Sequence, residues 1–315
     1  MLATVGSATV FGVEGRAVHV EVYVSNGLPG FTIVGLPDTS CREARDRVRA
    51  ALLSSGLNWP RRRVTVNLAP SGVRKAGSGL DLAIAVGILI ADDQLPGEVA
   101  KDRAFVGELG LDGTLRGVAG IVPLLDAMQA SEVVLPLECS MPTDELDDVR
   151  YRGVACLQDL VLALEGEAPW PEQPVISEVA DAEILADLGD VVGQPVPRTA
   201  VEIAAAGRHH LLLVGPPGAG KTLLATRLPG ILPELDPREC REVARIYSAA
   251  GVTRSYRSTT PPFRAPHHGA STVSLVGGGT ALMRPGEISL ACHGVLFLDE
   301  LGEFSVTALE SLRQP

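Results

Sequence analysis

Two folds in series are predicted from this chain: an α+β domain in the first half, then an α/β domain built around a phosphate-binding loop. Three observations predict them. Residues 215–222 read Gly-Pro-Pro-Gly-Ala-Gly-Lys-Thr, between an apolar strand at 210–214 and a helix at 223–228. A second apolar run, residues 294–298, ends in Asp299 and Glu300. Upstream of a Pro/Gly-rich stretch at 165–174, Val18, Val20, Val22 and Val24 alternate with other residues, as on a strand with one face buried.

The elements follow in chain order. After the strand at 17–24, another is expected at 31–34. Asp38 or Ser40 can cap a helix whose apolar stripe is Ala44, Val48, Ala51 and Leu52, closed by Gly56, with its arginines facing outward. Further strands are expected at 64–68, 104–106 and 133–135. These make a first domain over residues 1–165. Residues 166–186, too rich in proline and glycine at their start for an element interior, are read as a linker. A second domain over 187–315 opens on residues 187–194 and a helix near 199–206, then reaches the phosphate loop.

The glycine-rich loop has a chemical reading residue by residue. Gly215, Gly218 and Gly220, with Pro216, Pro217, Ala219 and Leu223 around them, let backbone N–H groups close on phosphate oxygens. Lys221 reaches the β and γ phosphates, and the Thr222 hydroxyl takes a place on Mg²⁺. At the end of the second strand, Asp299 is expected to hold the Mg²⁺ shell while Glu300 orients the attacking water. The implied cofactors are ATP and Mg²⁺.

Composition narrows the partners. With 315 residues, 46% of them hydrophobic and 21% charged, the chain can fill two cores and is not a disordered one. The net charge of −11 argues against a surface basic all over, but it hides an asymmetry. Between Arg42 and Lys75 nine basic residues (Arg42, Arg45, Arg47, Arg49, Arg61, Arg62, Arg63, Arg74, Lys75) face two acids, Glu43 and Asp46, so that stretch carries +7 and the remainder −18. It can be read as a track for nucleic-acid phosphates or as a solvated helix face with a basic strand end. Five scattered cysteines without a Cys-x-x-Cys pair fit reduced thiols and a cytoplasmic location. The longest apolar run, residues 82–91, is half a membrane span, so a soluble protein without a membrane partner is expected.

A resemblance rests on longer segments. Residues 201–207, the loop at 215–222, Phe263-Arg-Ala-Pro-His-His-Gly-Ala-Ser271, the glycines 277–279, residues 284–291 and residues 294–301 resemble the magnesium-chelatase-like AAA+ family. Residues 27–38, 62–70 and 79–82 resemble the Lon-protease-like domain of the ComM/YifB subgroup. The resemblance implies a Lon-like, ribosomal-S5-type α+β domain followed by a P-loop AAA+ domain. It also implies a homo-oligomeric ring, a hexamer, acting on single-stranded or branched DNA in competence and recombination. By resemblance Val192 and Gln194 lie where the adenine rests, and residues 264–284 carry pore loops.

The chain stops at Pro315, soon after Glu300, where relatives continue into sensor residues, an arginine finger and a helical lid. An incomplete AAA+ core that binds ATP but hydrolyses it poorly is therefore expected. A Ser-Lys protease is not: Gly79 stands at the nucleophile's place, and residues 121–124 offer no amine. Ser78 with Lys75 is the formal alternative. His267, His268, Cys292 and His293 could be imagined as metal donors, but adjacent histidines diverge on a strand and neither pair has zinc spacing. Positioning loops near the nucleotide or subunit interface is the role expected of them. Three functions follow: a DNA translocase or branch-migration helicase, a chelatase-type motor remodelling a protein partner, or a noncatalytic nucleotide-binding fragment.

Overall fold

A computed structural model describes residues 1–139, 149–172, 186–252, 254–255, 258–279 and 283–313. The chain divides into two compact units, Met1–Ser177 and Glu178–Pro315. The first unit is a mixed α/β body around a seven-stranded, mostly parallel sheet.

That sheet starts from a long hairpin, β1 (Leu2–Phe11) and β2 (Glu14–Ser25), paired antiparallel from Leu2↔Tyr23 to Phe11↔Glu14. The alternation read at 17–24 is real: Val18, Val20, Val22 and Val24 are all buried. The next elements are β3 (Gly30–Val34), α1 (Thr39–Ser54), β4 (Arg63–Ala69), α2 (Asp81–Ala91), β5 (Arg103–Phe105), the short pair β6 (Glu108–Leu109) and β7 (Leu115–Arg116), α3 (Ile121–Ala127), β8 (Glu132–Pro136), β9 (Arg150–Val154) and α4 (Leu157–Glu165). The sheet order is β3-β4-β2-β1-β5-β8-β9, with β2 antiparallel to both neighbours and the other four pairings parallel.

Strand parity sorts the core onto two faces. Val5, Phe105 and Val134 point with α1, α2 and α4 into one apolar cluster; Ala8, Ala104, Val133 and Leu135 point with α3 into another. The apolar run at 82–91 is α2, buried along its whole length. Among the described residues no helix is long and apolar enough to cross a membrane. Trp170, in the Pro/Gly-rich stretch read as a linker, packs on the first unit's core beneath Arg103 and Arg152. Residues 173–185 of that segment lie outside the described residues.

Helix α1 is capped by Asp38, whose Oδ1 accepts the Cys41 N–H at 2.8 Å and whose Oδ2 accepts the Gly77 N–H at 3.0 Å. One cap thus also ties the helix to the chain crossing its start. The expectation that its arginines all face outward is corrected at Arg47. Arg47 turns inward and grips buried Asp81 of α2 through two N–H donors, at 2.7 and 3.0 Å, because the carboxylate at the start of α2 needs a countercharge.

Burial pushes the Asp81 carboxyl up to about 6 from 3.8, against the opposing pull of Arg47. A folded-state value above the unfolded one means that protonated Asp81 favours the fold. Its contribution is therefore fully present below about pH 4 and is lost as pH rises through 6. Denaturant unfolding of wild type and Asp81→Asn should show the wild-type advantage shrinking by roughly 2–3 kcal/mol between pH 4 and 7. A difference that is flat or grows with pH would contradict this.

The second unit contains α5 (Pro195–Gly207), α6 (Lys221–Ala225), α7 (Leu228–Ile231), α8 (Pro237–Ala250), β10 (Phe263–Arg264), α9 (Thr272–Val276), β11 (Gly277–Gly278), β12 (Arg284–Pro285), α10 (Glu287–Leu290), β13 (Val295–Leu296) and α11 (Val306–Ser311). Its strands form two-residue pairs, β10 with β13 in parallel and β11 with β12 antiparallel. The strand expected at 210–214 is corrected: Leu211 and Leu213 pack inward and Leu212 and Val214 are exposed, yet no strand ladder includes the segment. An alternating pattern secures one-sided packing. A strand also needs a neighbour for its N–H and C=O groups, and among the described residues no segment pairs with 210–214.

Candidate nucleotide site

Residues 209–216 lead without regular structure into the glycine-rich loop, and the loop into α6. Gly218 and Gly220 turn the backbone at φ 77° and 79°, in the left-handed region that glycine enters without strain. Gly220 also leaves room for a neighbour, since a Cβ there would stand 2.8 Å from Gln194 Nε2. Gln194, itself left-handed at φ 52° and capping α5, thus lies against the loop, whereas Val192 is 93% exposed.

Lys221 folds back on its own loop, donating to the carbonyls of Gly215 and Pro216 at 3.0 Å each. The Thr222 hydroxyl donates to Asp299 Oδ2 at 2.8 Å, across 77 positions of sequence. What brings Asp299 there is the β10–β13 pair, in register at Phe263↔Val295 and Arg264↔Leu296. Phe263 and Phe297 stack at 5.9 Å beside it. Arg264 is clamped by both oxygens of Glu287, at 2.6 and 2.8 Å. Glu287 thereby fixes the strand beside Asp299, and only the fold supplies its partner.

Glu300 donates its backbone N–H to Asp299 Oδ1 at 3.0 Å and holds its Oε2 3.7 Å from His268 Nδ1. Thr222, Thr226, His267, His268, Asp299 and Glu300 line one cleft of about 470 Å³. The donor set suits Mg²⁺, being a hydroxyl and a carboxylate converging on one point beside open space for phosphate oxygens and water. ATP fits by charge and room: Lys221 needs only to leave two carbonyls to offer its ammonium to phosphate.

Other residues singled out from sequence are dispersed. Lys75, counted as surface charge, is completely buried and donates to the Pro70 carbonyl, while Ser78 donates to Glu108, so the two do not form a dyad. Burial lowers the Lys75 ammonium below its usual range. Of the nine basic residues from Arg42 to Lys75, Arg47 and Arg62 pair with Asp81 and Asp92. Arg42, Arg45, Arg49, Arg61, Arg63 and Arg74 stay exposed. Gly79 faces Val106 and Val118.

Comparison with known proteins adds the family context. A family model described as magnesium chelatase, subunit ChlI, matches residues 187–315, and one described as subunit ChlI of Mg-chelatase matches residues 20–138. The competence protein ComM of Haemophilus influenzae is 45% identical over 321 residues, covering 100% of this chain and 63% of its own length. YifB of Escherichia coli is 43% identical over 324 residues, 100% of this chain and 62% of its own. A lon protease homolog of Methanothermobacter thermautotrophicus is 47% identical over 60 residues, 19% of this chain and 12% of its own. The chain thus spans 62–63% of the length of ComM and YifB.

Proposed function

This chain belongs to the ComM/YifB group of magnesium-chelatase-like proteins, and from that premise we propose that it is the nucleotide-binding part of an ATP-driven motor acting on DNA. The observation that carries the reading is the 2.8 Å contact between Thr222 and Asp299, a hydroxyl and a carboxylate from distant segments meeting beside the phosphate loop.

In this reading Lys221 neutralises the β and γ phosphates, with the backbone from Gly215 to Leu223 around them. Thr222 and Asp299 hold Mg²⁺, which draws charge from the transferring phosphoryl group when bound. Glu300 orients the attacking water, and Gln194 flanks the base side of the loop. Among the described residues the cleft wall carries no arginine. A motor lacking that cation loses about 10³–10⁵ in rate, so binding stronger than turnover is the expected behaviour of this chain, with a ring neighbour as the natural source of the missing charge.

The name of the competence protein ComM supports DNA as the substrate, and the six exposed arginines between Arg42 and Arg74 offer sequence-independent contacts for phosphates. ATP turnover measured with and without single-stranded and branched DNA tests the proposal, with Glu300→Gln as the catalytic control. DNA should raise turnover several-fold and Glu300→Gln should remove the gain. Turnover indifferent to DNA would move the assignment to a chelatase-type motor that remodels a protein.

A further inference from the structure

Helix α8 and the turn ahead of β13 bring together three donors that take no part in the nucleotide cleft. One ligand atom each from Glu242, Cys292 and His293 lie within 4.8 Å of one another. We propose that Glu242, Cys292 and His293 form a zinc site that clips α8 to the turn leading into β13.

A thiolate, an imidazole and a carboxylate are zinc's ligand types, and three protein donors with the fourth position left to water is a common zinc arrangement. Soft sulfur beside imidazole disfavours Mg²⁺, which prefers all-oxygen shells.

Backbone geometry then removes the objection raised by the sequence. Neighbouring side chains diverge on a strand, but Cys292 and His293 are not on one: α10 has ended, and His293 takes φ 58°, in the left-handed region. That turn lets consecutive side chains face the same side of α8.

The surroundings of the imidazole are those of a held ligand. His293 Nε2 lies 2.9 Å from Glu242 Oε2, and on the opposite side of the ring Nδ1 lies 3.4 Å from Glu239 Oε1. Glu239 is itself fixed, its Oε1 accepting from Arg208 at 2.8 Å and its Oε2 from the Asp236 N–H at 3.0 Å. A carboxylate on the far ring nitrogen is the usual device for aiming a histidine at a metal. Without the metal, the hydrogen bond between His293 Nε2 and Glu242 Oε2 lies along the same direction. Glu242 is exposed while Cys292 and His293 are half-buried, so an ion can enter from solvent.

The test is a zinc titration of the full chain, stripped by a chelator and held in excess Mg²⁺, with cobalt as a spectroscopic substitute. One zinc per chain should bind, and cobalt should show a thiolate charge-transfer band. Cys292→Ser should abolish the band, and Cys292→Ser, Glu242→Gln and His293→Asn should each weaken zinc at least about tenfold. Asparagine is chosen at 293 because it tolerates the left-handed backbone. Asp299→Asn should leave zinc binding unchanged, which separates this site from the nucleotide cleft. A readout on the wild type alone guards against misfolded variants: zinc should slow alkylation of Cys292 but not of Cys139 or Cys156. Absence of the cobalt band, zinc binding indifferent to Cys292→Ser, or binding lost with Asp299→Asn would overturn the assignment.

Discussion

Asp299→Asn should weaken ATP binding roughly 10- to 150-fold in the presence of Mg²⁺ and hardly at all in its absence, the span set by charge-assisted contacts of about 1.5–3 kcal/mol. The Thr222–Asp299 contact is the cause. If these two oxygens share one ion, removing either removes the same metal contribution. Thr222→Val should then match Asp299→Asn, and the double variant should be little worse than either single one. Lys221→Ala removes a charge acting on phosphate directly, so its loss should be of similar size but independent of Mg²⁺. Fluorescent-nucleotide titrations of the four variants, with and without the metal, give the whole cycle. Additive losses would mean that Thr222 and Asp299 act on the nucleotide independently and share no ion, and equal losses with and without Mg²⁺ would mean that their contact is a structural hydrogen bond.

The parts of this molecule legible from sequence are those whose cause is local. The alternation of valines in β2, the Asp38 cap with its Ala44/Val48/Leu52 stripe, and the run from Gly215 to Thr222 all carry their physical reason within a few residues. What could not be read depends on a distant partner. Arg47 looked like one of a row of surface arginines until Asp81, 34 positions on, drew it inward. Strand β1 escaped notice because its buried face includes Ser7 and Thr9, polar residues satisfied by the carbonyls of Phe105 and Ala76. The pattern reads as polar outward, and only the neighbouring strand and loop explain it.

In the site the same division holds. Lys221 and Asp299 are singled out as candidates by type and spacing. That Thr222 touches Asp299, that Glu287 clamps Arg264 and that His268 approaches Glu300 all follow from the β10–β13 pairing and from the loop after β10. Two residues of ladder leave almost no periodic signal to detect. The left-handed turn at His293 is still harder to foresee, because histidine seldom adopts that backbone and nothing in its neighbours demands it.

Gly15→Ala should be the most damaging small substitution in the first unit, costing about 3 kcal/mol or more and lowering its unfolding temperature by roughly 6–12 °C. Gly15 sits in β2 directly against α3. A methyl added there would be driven into the Pro123 carbonyl and would stand 2.8 Å from the Ala127 side chain. The obstacle is helix backbone, not the end of a flexible side chain, so α3 must shift as a body. That shift would open the cluster in which Leu124, Leu125 and Met128 pack against Ala104, Val133 and Tyr151. Gly12→Ala offers the contrast: it meets no atom within 4 Å, and its cost comes only from the left-handed φ of 64° at the hairpin turn, about 1 kcal/mol. Thermal melts of the two variants side by side decide the point. Equal losses would mean that α3 adapts freely, and that the close approach of helix to sheet is not what specifies this glycine.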